Sequence, residues 1–184
     1  MATRSAADAV APFSNKIRLD DRFALRVLKE TFSASKSSGN PMITTEFEIV
    51  APETTSVNGE SVNVAGVKIT HYTTVKVKAE DGSWDKEASD KAFSRLVGYY
   101  KALGVEVPTE IDDENPPMLG EGKIVDALVL SDETVARKQA TPEQRAARQQ
   151  GDKILDGDGR EIIAYYPKIK SILGPSSVAI GRPF

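Results

Sequence analysis

Hydrophobic and polar residues alternate in the first third of the chain, which is the pattern of half-buried β-strands. Segments 21–32 and 42–50 both have this alternation, and the Ser- and Gly-rich loop 33–40 joins them. A pair of antiparallel strands is therefore predicted. The positions predicted to face the core are Phe23, Leu25, Val27, Ile43, Phe47 and Ile49.

A third β-segment is predicted after a break at 51–58. Residues 62–77 are rich in Val, Thr, Ile and Tyr, which favour a pleated, half-buried surface. The segment is either one long strand or a hairpin broken at Gly66.

One amphipathic helix is predicted over 85–103, where the apolar period changes to that of a helix. Gly104 is placed to end it. Its apolar stripe is predicted to consist of Phe93, Leu96, Val97, Tyr100 and Leu103.

The second half of the chain alternates between polar connections and two further strands. Residues 105–117 predict an extended acidic connection, 123–131 a strand, and 132–160 a polar excursion with a short surface helix over 141–151. The last strand is predicted over 161–166. Residues 1–20 predict a flexible arm, 174–184 a loose tail, and 21–173 a single domain.

The order of elements is three strands, one helix and two strands. This mainly β order is expected for an OB-fold, a five-stranded Greek-key barrel. The helix between the third and fourth strands would plug the open end of that barrel. Other small β architectures with a single helix remain open.

Composition narrows the chemistry. The 24 Lys and Arg residues nearly balance the 27 Asp and Glu residues, so a polyanion would have to meet a local basic surface. The chain has no Cys and one His, which argues against disulfides, thiolate catalysis and zinc sites and suits the cytoplasm. No segment is apolar and long enough to enter a membrane.

Catalytic motifs are absent, so no enzymatic activity and no cofactor or metal are predicted. His71 is interpreted as a packed or edge histidine, and no Gly-x-Ser-x-Gly motif is present. The 120–123 segment lacks the Walker spacing, and the Asp156 and Asp158 pair lacks the closing Glu of a calcium loop.

One constellation stands above this background. On the third β-segment, one face is apolar, and the other carries Lys68, Thr70, Tyr72, Thr74, Lys76 and Lys78. Lysines neutralise phosphates and an exposed ring stacks on bases, which is the combination that single-stranded nucleic acid requires. The competing interpretation is that the lysines only keep a half-exposed sheet soluble.

Other basic and aromatic residues are predicted to extend this surface. Arg22, Arg26 and Phe32 are assigned to the outer parity of the first strand. Tyr165 and Tyr166 point to opposite faces, so one is predicted to be core and the other available. The complete predicted DNA-binding set is Arg22, Arg26, Phe32, Lys36, Lys68, Tyr72, Lys76, Lys78, Arg160, Tyr165, Tyr166 and Lys168.

Several segments resemble bacteriophage single-stranded DNA-binding proteins of the OB-fold type. The residues that carry the resemblance are 35–43, 46–49, 102–104 and 163–167. The resemblance implies a viral protein that coats single-stranded DNA with little sequence preference during DNA replication or recombination. Further copies of the chain and replication or recombination proteins are the other partners considered, in the cytoplasm of the host cell.

Two alternative functions are kept. The near-neutral charge and the long polar tails are also typical of a structural or interaction protein, such as a virion component. An enzyme that uses carboxylates such as Asp85, Asp90 and Asp126 has no supporting spacing in the sequence.

Overall fold

The computed structural model describes residues 10–14, 16–134, 142, 143, 146, 150, 155 and 164–178. Within this part of the chain the fold is mainly β, as predicted, with strands arranged in two sheets. Neither sheet closes into a barrel among these residues. The elements are β1 Ala11–Pro12, β2 Asp20–Ala34, β3 Pro41–Ala51, β4 Thr54–Val57, β5 Glu60–Asn63, β6 Lys68–Thr74, α1 Lys86–Ala102, β7 Ile124–Thr134 and β8 Ala164–Pro175.

The larger sheet has five strands in the order β6-β3-β2-β7-β8, and every neighbouring pair is antiparallel. The predicted pairing of β2 with β3 is confirmed, with Val27 opposite Phe47. The six positions predicted to face the core on these two strands are each at most 1% exposed. Burial of these alternating side chains fixes which face of the sheet meets solvent.

The strands β6 and β8 form the two edges of the larger sheet. Their Cα atoms approach within 8 Å of each other, but no hydrogen-bonded ladder joins them. We call this line of approach the seam. Helix α1 contacts both edge strands, so it covers the seam from the inner side of the sheet.

The smaller sheet has the order β1-β5-β4. Asn58 and Gly59, with φ of 52° and 83°, form the tight turn between β4 and β5. The predicted break at 51–58 is therefore wrong, because it contains β4. The predicted third segment is broken at Gly66 (φ 78°), but its halves, β5 and β6, belong to different sheets, so it is neither one strand nor a hairpin.

Helix α1 confirms the predicted amphipathic helix, since it begins after Asp85 and ends just before Gly104. The stripe residues that are buried as predicted are Leu96, Tyr100 and Leu103. Phe93 was placed on this stripe wrongly and is 38% exposed, whereas Tyr99 is buried instead.

The two ends of the described chain pack more closely than the sequence pattern indicates. Part of the predicted arm forms β1, which pairs in parallel with β5, and Leu19 is buried. Strand β8 continues to Pro175 rather than ending at Tyr166. The predicted helix over 141–151 and residues 1–9 and 179–184 lie largely or wholly outside the described residues.

Candidate nucleic-acid interface

The outer face of the larger sheet carries the predicted stripe of β6. Tyr72 lies opposite Thr44 of β3, which lies opposite Thr31 of β2, so these three residues form one row across the sheet. The Tyr72 side chain is 60% exposed. Its neighbours in the row are short, which leaves a face of the ring open to a planar ligand.

Lys68 occupies the same face of β6, four residues before Tyr72. It is exposed and has no ion-pair partner among the described residues. The residue opposite it on β3, Glu48, is paired instead with Arg26 of β2. The Lys68 charge is therefore available to a phosphate, whereas the Arg26 charge is already compensated.

Arg22, a further predicted site residue on β2, is also compensated. Its guanidinium pairs with Asp126 of β7. A hydrogen bond with Ser176 and this ion pair hold the pKa of Asp126 below its ordinary value. Arg22 is thus engaged within the sheet rather than free for a ligand.

A β-bulge in β2 overturns one predicted position and supplies another. The register shifts between Val27 and Lys29, so Leu28 is an extra residue and the inward and outward positions exchange beyond it. Phe32 was assigned to the outer face, which is wrong. It lies opposite buried Ile43 of β3 and packs against the core. Lys29, which the sequence pattern missed, is exposed on the outer face instead.

The chain beyond β6 departs from the predicted stripe. The strand ends at Thr74, so Lys76 and Lys78 do not continue it as predicted. The Lys76 ammonium lies 4.5 Å from the centre of the Trp84 ring and 2.8 Å from an Asp113 oxygen. Lys76 therefore contacts the Trp84 ring, and its charge is already paired with Asp113.

Trp84 is the aromatic residue of this surface that the sequence pattern missed. It is 46% exposed and bridges to Lys78, whose ammonium lies 5.4 Å from the ring centre. Tyr72 and Lys78 are six positions apart, so at most about 22 Å of extended chain joins Tyr72 to the residue that bridges to Trp84. Trp84 lies between Ser83 and Asp85, outside any periodic segment, so the sequence pattern did not indicate it.

The loop 35–40 lies beside this second aromatic position. Asn40 Oδ1 accepts a hydrogen bond of 2.9 Å from the Lys78 amide, and the Lys78 ammonium lies near Gly39. Lys36 is exposed in the same loop, as predicted. We call Tyr72, Trp84 and the surrounding lysines the candidate interface; these lysines are Lys29, Lys36, Lys68 and Lys78.

The predicted site residues of β8 lie on the strand at the other edge of the larger sheet. Tyr166 is 44% exposed, whereas Tyr165 is half-buried and lines a separate cleft of about 550 Å³ beside Phe23 and Val62. Lys168 is paired with Asp132 of β7 at 3.1 Å. Arg160 lies outside the described residues.

A buried polar network lies beneath the outer face and fixes α1 against β2 and β3. The Tyr99 hydroxyl donates to Glu30 Oε1 at 2.5 Å and lies 2.7 Å from the Thr45 hydroxyl. The Gly120 amide donates to the other Glu30 oxygen at 2.6 Å. Burial and the Glu30 carboxyl raise the pKa of Tyr99, so its hydroxyl stays protonated and serves as a donor.

Other classes of site find no support in the described part of the chain. These residues include no cluster of three or more His, Asp or Glu side chains that would hold a metal ion. None of the described helices is long and apolar enough to cross a membrane.

No protein-family model matches the chain, and no curated protein matches it.

Proposed function

We propose that this protein is a non-catalytic, largely sequence-independent single-stranded DNA-binding protein with an OB-fold-like larger sheet. The observation that carries the proposal is the pair of exposed aromatic side chains, Tyr72 and Trp84, on a surface with four lysines that lack ion-pair partners among the described residues. These lysines are Lys29, Lys36, Lys68 and Lys78.

The physical reason lies in the two parts of a single strand. Each unpaired base has a flat face that stacks on an aromatic ring without any sequence match, and stacking contributes about 1–3 kcal/mol per base. Each phosphate carries a charge whose neutralisation releases bound counterions. A duplex hides its base faces, so exposed rings favour the single strand.

The arrangement of strands supports the same proposal. In the OB-fold, a partly open five-stranded barrel, the second and third strands and the loop between the first and second strands bind the ligand. The corresponding elements here are β3, β6 and the loop 35–40, and they carry Tyr72, Lys68 and Lys36. Closure of the sheet would require β6 to pair with β8 across the seam.

Titration of Trp84 fluorescence with a thymidine oligonucleotide tests the proposal directly, because Trp84 is the only tryptophan. We expect quenching at low salt and a fall in affinity with rising salt concentration. Competition by duplex DNA of the same length should be much weaker. Absence of binding at low salt, or an affinity that does not depend on salt, would contradict the proposal.

Variants at Tyr72 test the stacking step. Tyr72→Ala removes the exposed ring and is expected to weaken binding about 5- to 150-fold, the equivalent of one stacked base. Tyr72→Phe keeps the ring and should bind like the unmodified protein. Phe93→Ala removes an exposed aromatic side chain from α1 and is the matched control, for which no change is expected.

A further inference from the structure

A cleft of about 320 Å³ lies at the seam, between β6, α1 and Ile172 of β8. This volume is at the lower end of the range of about 300–1,000 Å³ for small-molecule sites. Among its lining residues are His71, Tyr72, Arg95, Gly98, Tyr99 and Ala102.

The cleft exists because the helix presents small residues to the seam. Gly98 and Ala102 are one turn apart on α1 and both line the cleft. A Cβ atom placed on Gly98 would meet no atom within 4 Å. Glycine in the middle of a helix costs about 0.5–1 kcal/mol relative to alanine. The helix therefore keeps open space at a position where a larger residue would be more stable.

His71 supplies a polar group inside the cleft. Its ring is half-buried and stacks on Tyr99, with ring centres 6.2 Å apart and an angle of 24°. Burial lowers the pKa of His71, so the ring is neutral near neutral pH and offers one donor and one acceptor. No described residue hydrogen-bonds to these nitrogens, which leaves them for a ligand.

Arg95 from α1 and Tyr72 from β6 both line the cleft. Arg95 is exposed on α1 and has no ion-pair partner among the described residues. A guanidinium binds a phosphate through two parallel hydrogen bonds. Tyr72 belongs both to the candidate interface and to this cleft, so a strand stacked on Tyr72 reaches the cleft without leaving the protein surface.

We propose that the cleft at the seam receives one nucleotide of the bound strand, with its base beside His71 and its phosphate at Arg95. The inference rests on the proposed single-stranded DNA-binding function and adds to it a pocket for one base. A donor and an acceptor on one neutral ring match the edge of a base. The volume suits one nucleotide rather than a longer segment.

His71 is the only histidine, so its imidazole NMR signals report on the cleft without further assignment. We expect these signals to shift when a thymidine oligonucleotide binds, and also when thymidine monophosphate is added at high concentration. Trp84 fluorescence in the same samples measures strand binding independently.

Gly98→Leu is designed to fill the cleft while Tyr72 and the interface lysines stay in place. The variant should lose the shift of the His71 signals and bind the oligonucleotide about fivefold or more weakly, the low end of one stacked base. Gly98→Ala should stabilise the helix and leave most of the cleft open. The His71 signals of this variant should still shift when the oligonucleotide binds. Arg95→Gln changes an exposed position and does not fill the cleft. This variant should weaken binding of the oligonucleotide by a similar factor.

The outcomes separate the two proposals. If the oligonucleotide quenches Trp84 but the His71 signals do not move, the cleft proposal is overturned and the proposed function stands. Equal affinity of Arg95→Gln and the unmodified protein would also overturn it. If the oligonucleotide does not bind at all, the proposed function fails and the cleft proposal fails with it.

Discussion

Two buried threonine hydroxyls on adjacent strands of the larger sheet have opposite surroundings. The Thr45 hydroxyl on β3 is 2.7 Å from the Tyr99 hydroxyl. The Thr73 hydroxyl on β6 is buried and has no hydrogen-bond partner among the described residues. A buried polar group without a partner loses its hydration and receives nothing in exchange.

The same substitution at these two positions should therefore change stability in opposite directions. Thr73→Val keeps the shape and removes the unpaired hydroxyl, so we expect a gain of about 1 kcal/mol in the free energy of unfolding. Thr45→Val leaves the polar network of Tyr99 incomplete, and we expect a loss of about 1–3 kcal/mol.

Urea denaturation with an unchanged m-value measures both effects. A loss of stability in Thr73→Val of the same size as in Thr45→Val would show that the Thr73 hydroxyl is satisfied in solution.

At the scale of elements, alternation in the sequence was sufficient to predict β2, β3 and their shared core. The alternation gave wrong positions after Leu28, where one extra residue exchanges the inward and outward positions of β2. The adjacent apolar residues Val27 and Leu28 interrupt the alternation, and Lys29 then stands on the apolar parity, but this local signal does not by itself show a bulge. The exchange of Phe32 for Lys29 on the outer face follows from pairing with β3, which is a non-local property.

Two other differences had a local signal. The Asn58-Gly59 pair is a strong hairpin signal and would have predicted β4 and β5. The predicted last strand ends just before Pro167, but a proline is tolerated on an edge strand, and β8 pairs on one side only. Trp84 was missed because its place beside Lys76 and Lys78 depends on a turn of the chain after β6.

Helix α1 depends on its first turn. Asp85 is the N-cap, and its side chain accepts a hydrogen bond of 2.9 Å from the Ala88 amide. Asp85→Ala should lower the free energy of unfolding by about 0.5–2 kcal/mol, because this amide loses its acceptor. Asp85→Asn keeps an acceptor oxygen and should cost much less.

Thermal unfolding followed by circular dichroism measures the difference between these two variants. If Asp85→Asn and Asp85→Ala lose the same stability, the capping hydrogen bond is not what the residue contributes.

At the scale of the whole molecule, the basic residues differ in whether an acidic residue pairs with them. The net charge is −3, and four predicted basic site residues, Arg22, Arg26, Lys76 and Lys168, are each paired with an acid. Under the proposed function, a phosphate backbone would therefore meet few free cations. We expect the dependence of affinity on salt to be shallow for a protein of this size.

Replacing one free lysine should be visible in that dependence. Under the proposed function, Lys68→Gln removes one phosphate contact, so the slope of log K against log salt concentration should fall by about 0.7, the value for a single strand. Lys91→Gln removes an exposed lysine that pairs with Glu87 on α1 and should leave the slope unchanged. A slope that is equal in both variants would place the DNA elsewhere on the protein.

The free edge of β6 also affects how separate molecules behave at high concentration. An edge strand with an unoccupied side can pair with the same strand of another copy, and a lysine on it opposes such pairing through charge repulsion. We therefore expect Lys68 to oppose pairing between copies of the protein at this edge. A hydrophobic residue at this position should lead to filaments or precipitates, which light scattering would detect, even in molecules whose internal packing is intact.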